Sequence, residues 1–533
     1  MAKTAFKDLT AENIEYIKHV YYQEMLHVEK MEILSKKFGV SERTIRGWWQ
    51  KLYLSKLSTN LSPQLQKALD RTLNKNTKVL LVTTAQNKTT INKDFLNNLI
   101  AYKDYITNEL NKECEIVVIP SKYRNPTNNI EDEKTKGSDW WEYSLDEYLF
   151  YGKLNFGNTL ISCDSHISPT AKDPLSGYEI LASENHLVLG HSKIHWKSLP
   201  RFREAPLRTM CTTGYITSKN YSKSKAGSVA HENHCYGFVV VELKEKDICY
   251  IPRNVKVKSD GSFIDVINSV SNNKVSKVTS SLGFIYGDFH ARQINRDFLE
   301  ETKKIVKLLN PDKSVIHDAL DSSTMNHHES KDMFIQRQKI IQGKHLIEDE
   351  IEECLDLLSE IKDCCGDVYV IESNHDVFLD RHINEAQWKK DLHNSPAYLR
   401  LALIQQTVDL TKYGNVFGYL IQDRFKGVIK YVKMGDSLYI GDYQCGQHND
   451  YGANGSKGST KGFGRMNLKL IGGHAHSPML FNNVTTVGVT ANLKQWYNRR
   501  GLSSWAYAHS VVHNNGKNQL LVFDDDYSLS GLI

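Results

Sequence analysis

LGFIYGDFHARQIN, residues 282–295, reads as a β-strand that runs straight into a pair of metal-ligand residues. The apolar run ends at Gly287, and Asp288 and His290 follow two apart. In extended backbone, or in the turn after it, side chains at i and i+2 can converge on one cation, and a carboxylate with an imidazole suits Mn, Fe or Zn. The same arrangement recurs downstream. In KSVIHDALDSSTMNHH (313–328) a short strand delivers Asp318 and, one turn later, Asp321. In GDVYVIESNHDVFLDRH (366–382) a strand over 368–372 ends in Ser373, Asn374, His375 and Asp376. GDSLYIGDYQCGQHNDYGANGSKGS (435–459) carries His448 in a glycine-rich loop, with Asp442 as the alternative if the strand ends there. In NLKLIGGHAHSPML (467–480) a strand ends in Gly472 and Gly473 and delivers His474 and His476. A lone histidine is ordinarily a core or surface residue, whereas five strand ends bearing Asp, Asn and His in this order point to metal chemistry.

The series DxH, then an aspartate, then NHD, then a histidine, then GHxH resembles the calcineurin-like metallophosphoesterase family over about the last half of the chain. The resemblance implies a β-sandwich flanked by helices, with two divalent cations at the carboxyl ends of the strands. Asp288, His290 and His476 would hold one cation, Asn374, His448 and His474 the other, and Asp318 would bridge them. His375, backed by Asp376, would be the imidazole beside the scissile phosphate. Two positions depart from the family pattern: His317 precedes the bridging aspartate and Ser373 precedes Asn374, where the family has glycine. Such a pair of cations polarises a phosphate oxygen and activates water for in-line displacement, while a histidine can protonate a poor leaving group such as a sugar hydroxyl. Mixed His, Asp and Asn ligation favours Mn2+ over Mg2+.

Working outward, residues 276–533 are expected to form the catalytic domain, 61–275 a mixed α/β domain and 1–60 a helical one. In the middle region KVLLVTTAQN (78–87), a helical run over 95–110 and CEIVVIP (114–120) read as β-α-β, and GFVVVEL (237–243) as a further strand. Between His191 and Lys225 eight basic residues stand against Glu204 alone, with aromatic residues interleaved. Lys193, Lys197, Arg201, Arg203 and Arg208 are therefore candidate contacts to DNA phosphates. At the amino end, Ile14, Ile17 and Tyr21 repeat at helical spacing after Thr10, a capping residue. KMEILSKKFGVSERTIRGWWQKL (30–52) reads as helix, glycine turn, helix. A helix-turn-helix would present Arg43, Thr44 and Arg46 to a DNA major groove; a plain helical hairpin serving packing or assembly is the alternative.

The 533 residues carry 67 Lys and Arg against 62 Asp and Glu, a net charge of +5 that is too weak a field to identify a partner by itself. A charged fraction of 24% and the absence of any ~18-residue apolar run exclude a membrane-spanning chain and a disordered tail. Nine cysteines without a CxxC pair, and no secretory signal in MAKTAFKDLT, predict a cytoplasmic chain without a disulfide framework. The domain order resembles that of the pre-early host-DNA-degrading proteins of large lytic coliphages. The catalytic region is more distantly similar to the nuclease subunit of the double-strand-break repair complex. The first resemblance implies manganese-dependent cleavage of DNA in the host cytoplasm, and self-assembly. Rival readings are a phosphodiesterase of the same fold acting on nucleotides or RNA, and a DNA-binding regulator in which the phosphoesterase domain is only a scaffold.

Overall fold

The apolar runs that precede the candidate ligands are strands of one sheet. The computed structural model describes residues 9–22, 27–51, 61–123, 139–202, 204–245, 247–326, 329, 332–495, 498 and 501–532. Strands Ser281–Ile285, Pro311–Ile316, Asp367–Ile371 and Ile429–Val432 lie side by side, all parallel. The hairpin Ala508–Val512 and Asn518–Val522 pairs antiparallel beyond the first, completing six strands. Parallel neighbours need crossovers, and the helices Arg296–Leu309, Ile347–Lys362 and Val416–Phe425 lie in them.

Alternate side chains of these strands enter two different cores, which explains why their carboxyl ends, at Phe284 and Ile285, Val315 and Ile316, and Val370 and Ile371, are apolar at consecutive positions rather than alternating. Phe284, Ile316, Val370 and Val511 pack with the helical residues Phe298, Val306, Ile351 and Leu358. Their neighbours Ile285, Val315, Ile371 and Val512 pack with Ile440, Tyr443 and Ile471 of a second, ten-stranded sheet. The order is therefore helices, six-stranded sheet, second sheet. The protein is a mixed α/β structure.

The ten-stranded sheet takes Tyr439–Ile440, Tyr443–Gln444, Leu470–Gly472, Met479–Phe481 and Val484–Thr486 from the carboxyl half, and five strands between Lys153 and Thr212 from the middle of the chain. The two sets join where Leu480 pairs with Trp196 and Met479 with Lys197. Residues on either side of position 275 thus share a sheet, and 68–533 form one compact unit. The β-α-β reading also holds. Val79–Gln86 and Cys114–Ser121 are parallel and joined by helix Lys93–Asn108, capped by Asn92, whose side chain accepts from Phe95 N–H. Gly237–Glu245 pairs antiparallel to the first of them.

Residues 1–67 form a separate unit. Helix α1 (Ala11–Tyr22) starts at Thr10, whose Oγ1 accepts from Asn13 N–H at 3.2 Å. Helix α2 (His27–Phe38) ends at Gly39, φ +62°, and α3 (Glu42–Lys51) begins after Ser41. Ile17, Val20, Met31, Leu34, Ile45 and Trp48 meet in a small core.

Candidate metal centre

The loops that leave the carboxyl ends of Ser281–Ile285, Pro311–Ile316, Asp367–Ile371 and Leu470–Gly472 bring their polar residues to one place. Asp288, His290, Asp318 and His476 are all buried, and each offers a ligand atom within 4.8 Å of the others. His290 Nε2 faces His476 Nε2 at 3.0 Å, and His476 Nε2 lies 3.2 Å from Asp288 Oδ2. Asp318 stands between two histidines, its Oδ2 being 3.6 Å from His290 Nε2 and 3.0 Å from His448 Nε2. On the far side of Asp318, the ring of His448 is 5.2 Å from that of His474, whose Nδ1 is 3.2 Å from Asn374 Oδ1. All seven proposed ligands are therefore neighbours. Asp442 is not among them; it is exposed and pairs with Lys469 at 2.8 Å, which leaves His448 in the inner position.

The backbone is bent to achieve this. His290, Asp318, His474 and His476 have φ of +45°, +47°, +73° and +56°, a region that costs residues with a side chain on the order of 1–3 kcal/mol each and persists where surrounding structure imposes it. Gly473 lets His474 N–H approach Asp288 Oδ2 at 2.7 Å; a Cβ at position 473 would lie 1.9 Å from Asp288 Oδ1.

The site fits cations. Asp288 Oδ1, Asp318 Oδ1 and His448 Nδ1 are buried without a hydrogen-bond partner among the described residues. Buried polar atoms are ordinarily partnered, and two imidazole nitrogens facing each other, as in His290 and His476, need a proton or a cation between them. Burial alone would raise the Asp318 carboxyl, but the imidazoles of His448 and His375 hold it well below the usual carboxylate range. Burial alone would lower His448, but the carboxylates of Asp318 and Asp288 push it up to about 9. Carboxylates, imidazoles and one amide make a donor set suited to Mn, Fe or Zn.

His375 is held differently from the sequence expectation. Its Nδ1 lies 2.6 Å from the Asp321 carbonyl, which can only accept, so Nδ1 carries a proton and Nε2 is the ring nitrogen outside that bond. Asp376 does not back this ring. Its carboxylate is fully buried and accepts from Ser373 N–H at 3.1 Å and Tyr431 O–H at 3.0 Å, and burial together with the charge of Asp318 pushes its carboxyl well up. Asp321 instead touches both imidazoles, because its Oδ1 is also 3.3 Å from His290 Nδ1. Its loop is held by the buried Glu350, which accepts from Ser323 N–H at 2.7 Å and Thr324 N–H at 3.0 Å. The spacing of three from Asp318 marked Asp321; nothing local marks Glu350, one of several acids opening the helix Ile347–Lys362.

The candidate DNA contacts divide. Arg43 and Arg46 are exposed on α3, and Thr44 Oγ1 lies 3.0 Å from Ser41 Oγ at the helix start. Lys193 and Arg201 are buried within the fold. Lys193 donates to the Ala171 carbonyl at 2.7 Å, and Arg201 makes a two-pronged pair with Asp525 at 2.7 and 2.9 Å. Lys197 is bonded to Glu179, and Arg208 to the carbonyls of Ser183 and Pro200. Arg203 lies outside the described residues. Lys193, Lys197, Arg201 and Arg208 are thus used to tie strands and loops together, whereas Lys219, Lys223 and Lys225, further along the run, are exposed.

Among known proteins, the chain is similar to Protein A1 of Escherichia phage T5. The two are 27% identical over 466 residues, covering 84% of this chain and 82% of that protein. No family model matches the chain, and no solved structure does. No helix among the described residues is long and apolar enough to cross a membrane.

Proposed function

We propose that this chain is a metal-dependent nuclease of the calcineurin-like type that hydrolyses phosphodiester bonds of DNA. The observation that carries the reading is the set of buried, unpartnered ligand atoms on Asp288, Asp318 and His448, gathered with His290 and His476 at the ends of adjacent strands. In this reading Asp288, His290 and His476 hold one divalent cation, Asn374, His448 and His474 a second, and Asp318 serves both, with Mn2+ as the favoured metal. Bound there, the cations supply Lewis-acid polarisation of the phosphate and activation of the attacking water. His375 presents Nε2 towards the leaving sugar oxygen, and its Nδ1 bond to the Asp321 carbonyl fixes the ring plane for that proton transfer. The α3 cations Arg43 and Arg46 are the proposed contacts to DNA in the amino-terminal unit, which would act as a helix-turn-helix. The same proposal extends to degradation of host DNA within the host cytoplasm and to self-assembly of the chain; the similarity to a protein of Escherichia phage T5 supports the phage setting.

The test is metal content by mass spectrometry after incubation with manganese, followed by turnover on plasmid DNA, RNA and a chromogenic phosphodiester. Two equivalents of metal, turnover of the chromogenic diester and loss of plasmid DNA with RNA left intact are expected. Turnover of nucleotides or RNA without DNA cleavage would transfer the reading to a phosphodiesterase of the same fold. Metal-free protein that binds DNA without cutting it would support the regulator.

A further inference from the structure

Beside the metal centre lies a cavity of about 440 Å3, within the ~300–1,000 Å3 range of small-molecule sites. Asp321 and His375 line it on the side of the metals, and Phe334, Gln338 and Gln495 line it elsewhere. Two of these groups lack what their chemistry requires. Gln495 is only 5% exposed, yet neither its Oε1 nor its Nε2 has a hydrogen-bond partner among the described residues. A buried amide in that state is satisfied only by an occupant that brings a donor and an acceptor together. Phe334 is 84% exposed, on helix Met333–Ile341, none of whose residues is buried. An aromatic face turned to solvent at the mouth of a cavity offers a stacking surface.

The charges around the cavity disfavour a second phosphate as its occupant. Asp321, Glu329 and Asp332 line it against Lys339 and Lys344, and Lys339 is already tied to Glu329 and to the Ser323 carbonyl, both at 2.6 Å. An aliphatic side chain would leave Gln495 unsatisfied. A neutral heteroaromatic ring meets both demands, with a flat face for Phe334 and an edge of donors and acceptors for the amide. Because His375 belongs both to this cavity and to the candidate site of cleavage, such a ring would sit next to the scissile phosphate.

We propose that the cavity receives an unpaired nucleobase adjacent to the bond being cut, so that single-stranded or frayed DNA is the preferred substrate. The proposal rests on the nuclease reading. A base inside a duplex has its edge paired and its faces stacked, and would have to be extruded to enter.

The experiment is an abasic scan. Single-stranded oligonucleotides with one abasic residue at each position around a mapped cut are incubated with the full chain and manganese. Wild type should lose roughly 5- to 150-fold in kcat/KM at one position next to the cut, the usual worth of one stacked base, and little elsewhere. Phe334→Ala, an exposed substitution, should show a comparable loss on the intact oligonucleotide and no further loss when the same base is removed. Gln495→Leu should flatten any preference for the identity of that base. Cleavage that tolerates an abasic residue everywhere, or an abasic penalty equal in wild type and Phe334→Ala, would overturn the base pocket while leaving the nuclease standing. Failure of the metal-loaded chain to cut any DNA would overturn the nuclease reading, and the pocket with it.

Discussion

Asp318 and His375 lie close together at the site and should fail in different ways when removed. In the proposed reading Asp318 is the carboxylate shared by the two cations, so Asp318→Ala would remove the negative charge that offsets their mutual repulsion. We expect loss of at least one metal equivalent and of all DNA cleavage, read by mass spectrometry and plasmid degradation on the same sample. A variant that keeps two metals and near wild-type turnover would rule out the bridging role. In the same reading His375 would reach the substrate only through Nε2, its Nδ1 being committed to the Asp321 carbonyl. His375→Ala should therefore retain its metals while turnover falls roughly 10²- to 10⁴-fold, the usual worth of a positioned general acid. Metal loss as large as in Asp318→Ala would make it a ligand instead.

At the scale of elements, the part most legible in the sequence was the part in which strand and ligand are contiguous. LGFIY, KSVI and VYVI each carry consecutive apolar residues that face both layers, as parallel strands buried between two layers must, and their ligands follow within a few residues. The left-handed backbone at His290, Asp318, His474 and His476 had no such signal, because non-glycine residues enter that region only under tertiary constraint. Within the basic run over 193–208, the burial of Lys193 and Arg201 was not legible for a related reason. Arg201 finds its carboxylate in Asp525, 324 residues along the chain, and no local window shows that such a partner exists. The cations of α3 have closer neighbours: Arg46 is 62% exposed and meets a loose Glu42 contact at 3.6 Å. An exposed i,i+4 pair is worth a few tenths of a kcal/mol and yields readily to a phosphate. Arg43→Ala with Arg46→Ala should weaken DNA binding and flatten the slope of log affinity against log salt by about 0.9 for each phosphate no longer neutralised. Turnover of a small chromogenic diester in the same preparation reports the metal site separately. Unchanged DNA affinity with an altered sedimentation coefficient would assign α1 to α3 to assembly.

Over the whole of residues 68–533, two halves of the chain that the sequence divides near 275 are joined in one compact unit. One buried ionic cluster carries part of that joining. Arg253 grips Asp265 through Nε and a terminal nitrogen, both at 2.8 Å, and Tyr102 O–H and Gln519 Nε2 donate to the same carboxylate at 2.8 and 3.0 Å. Those four residues come from the helix Lys93–Asn108, the strands Arg253–Lys256 and Phe263–Asp265, and the outermost strand of the site-bearing sheet, Asn518–Val522. Burial alone would raise the Asp265 carboxyl, but the Arg253 guanidinium holds it below its ordinary 3.8. A carboxyl depressed in the folded state stabilises above the unfolded-state value, near 4, and that contribution is lost as pH falls through the lower folded value. Asp265→Leu should cost about 3–5 kcal/mol at neutral pH, because it takes from a buried guanidinium its two-pronged partner and leaves only the looser Glu242 contact at 3.7 Å. The deficit, read from denaturant midpoints against wild type, should narrow below pH 4. Arg253→Met combined with Asp265→Leu should recover most of it, since the apolar pair removes both charges, and the buried Glu242, 3.7 Å from the guanidinium, keeps its Lys112 partner at 2.6 Å. Because none of the four residues is among the metal ligands, the doubly substituted chain should also keep its metals and its turnover. A double variant no more stable than Asp265→Leu alone would mean that the cluster holds the two halves together by shape rather than by charge.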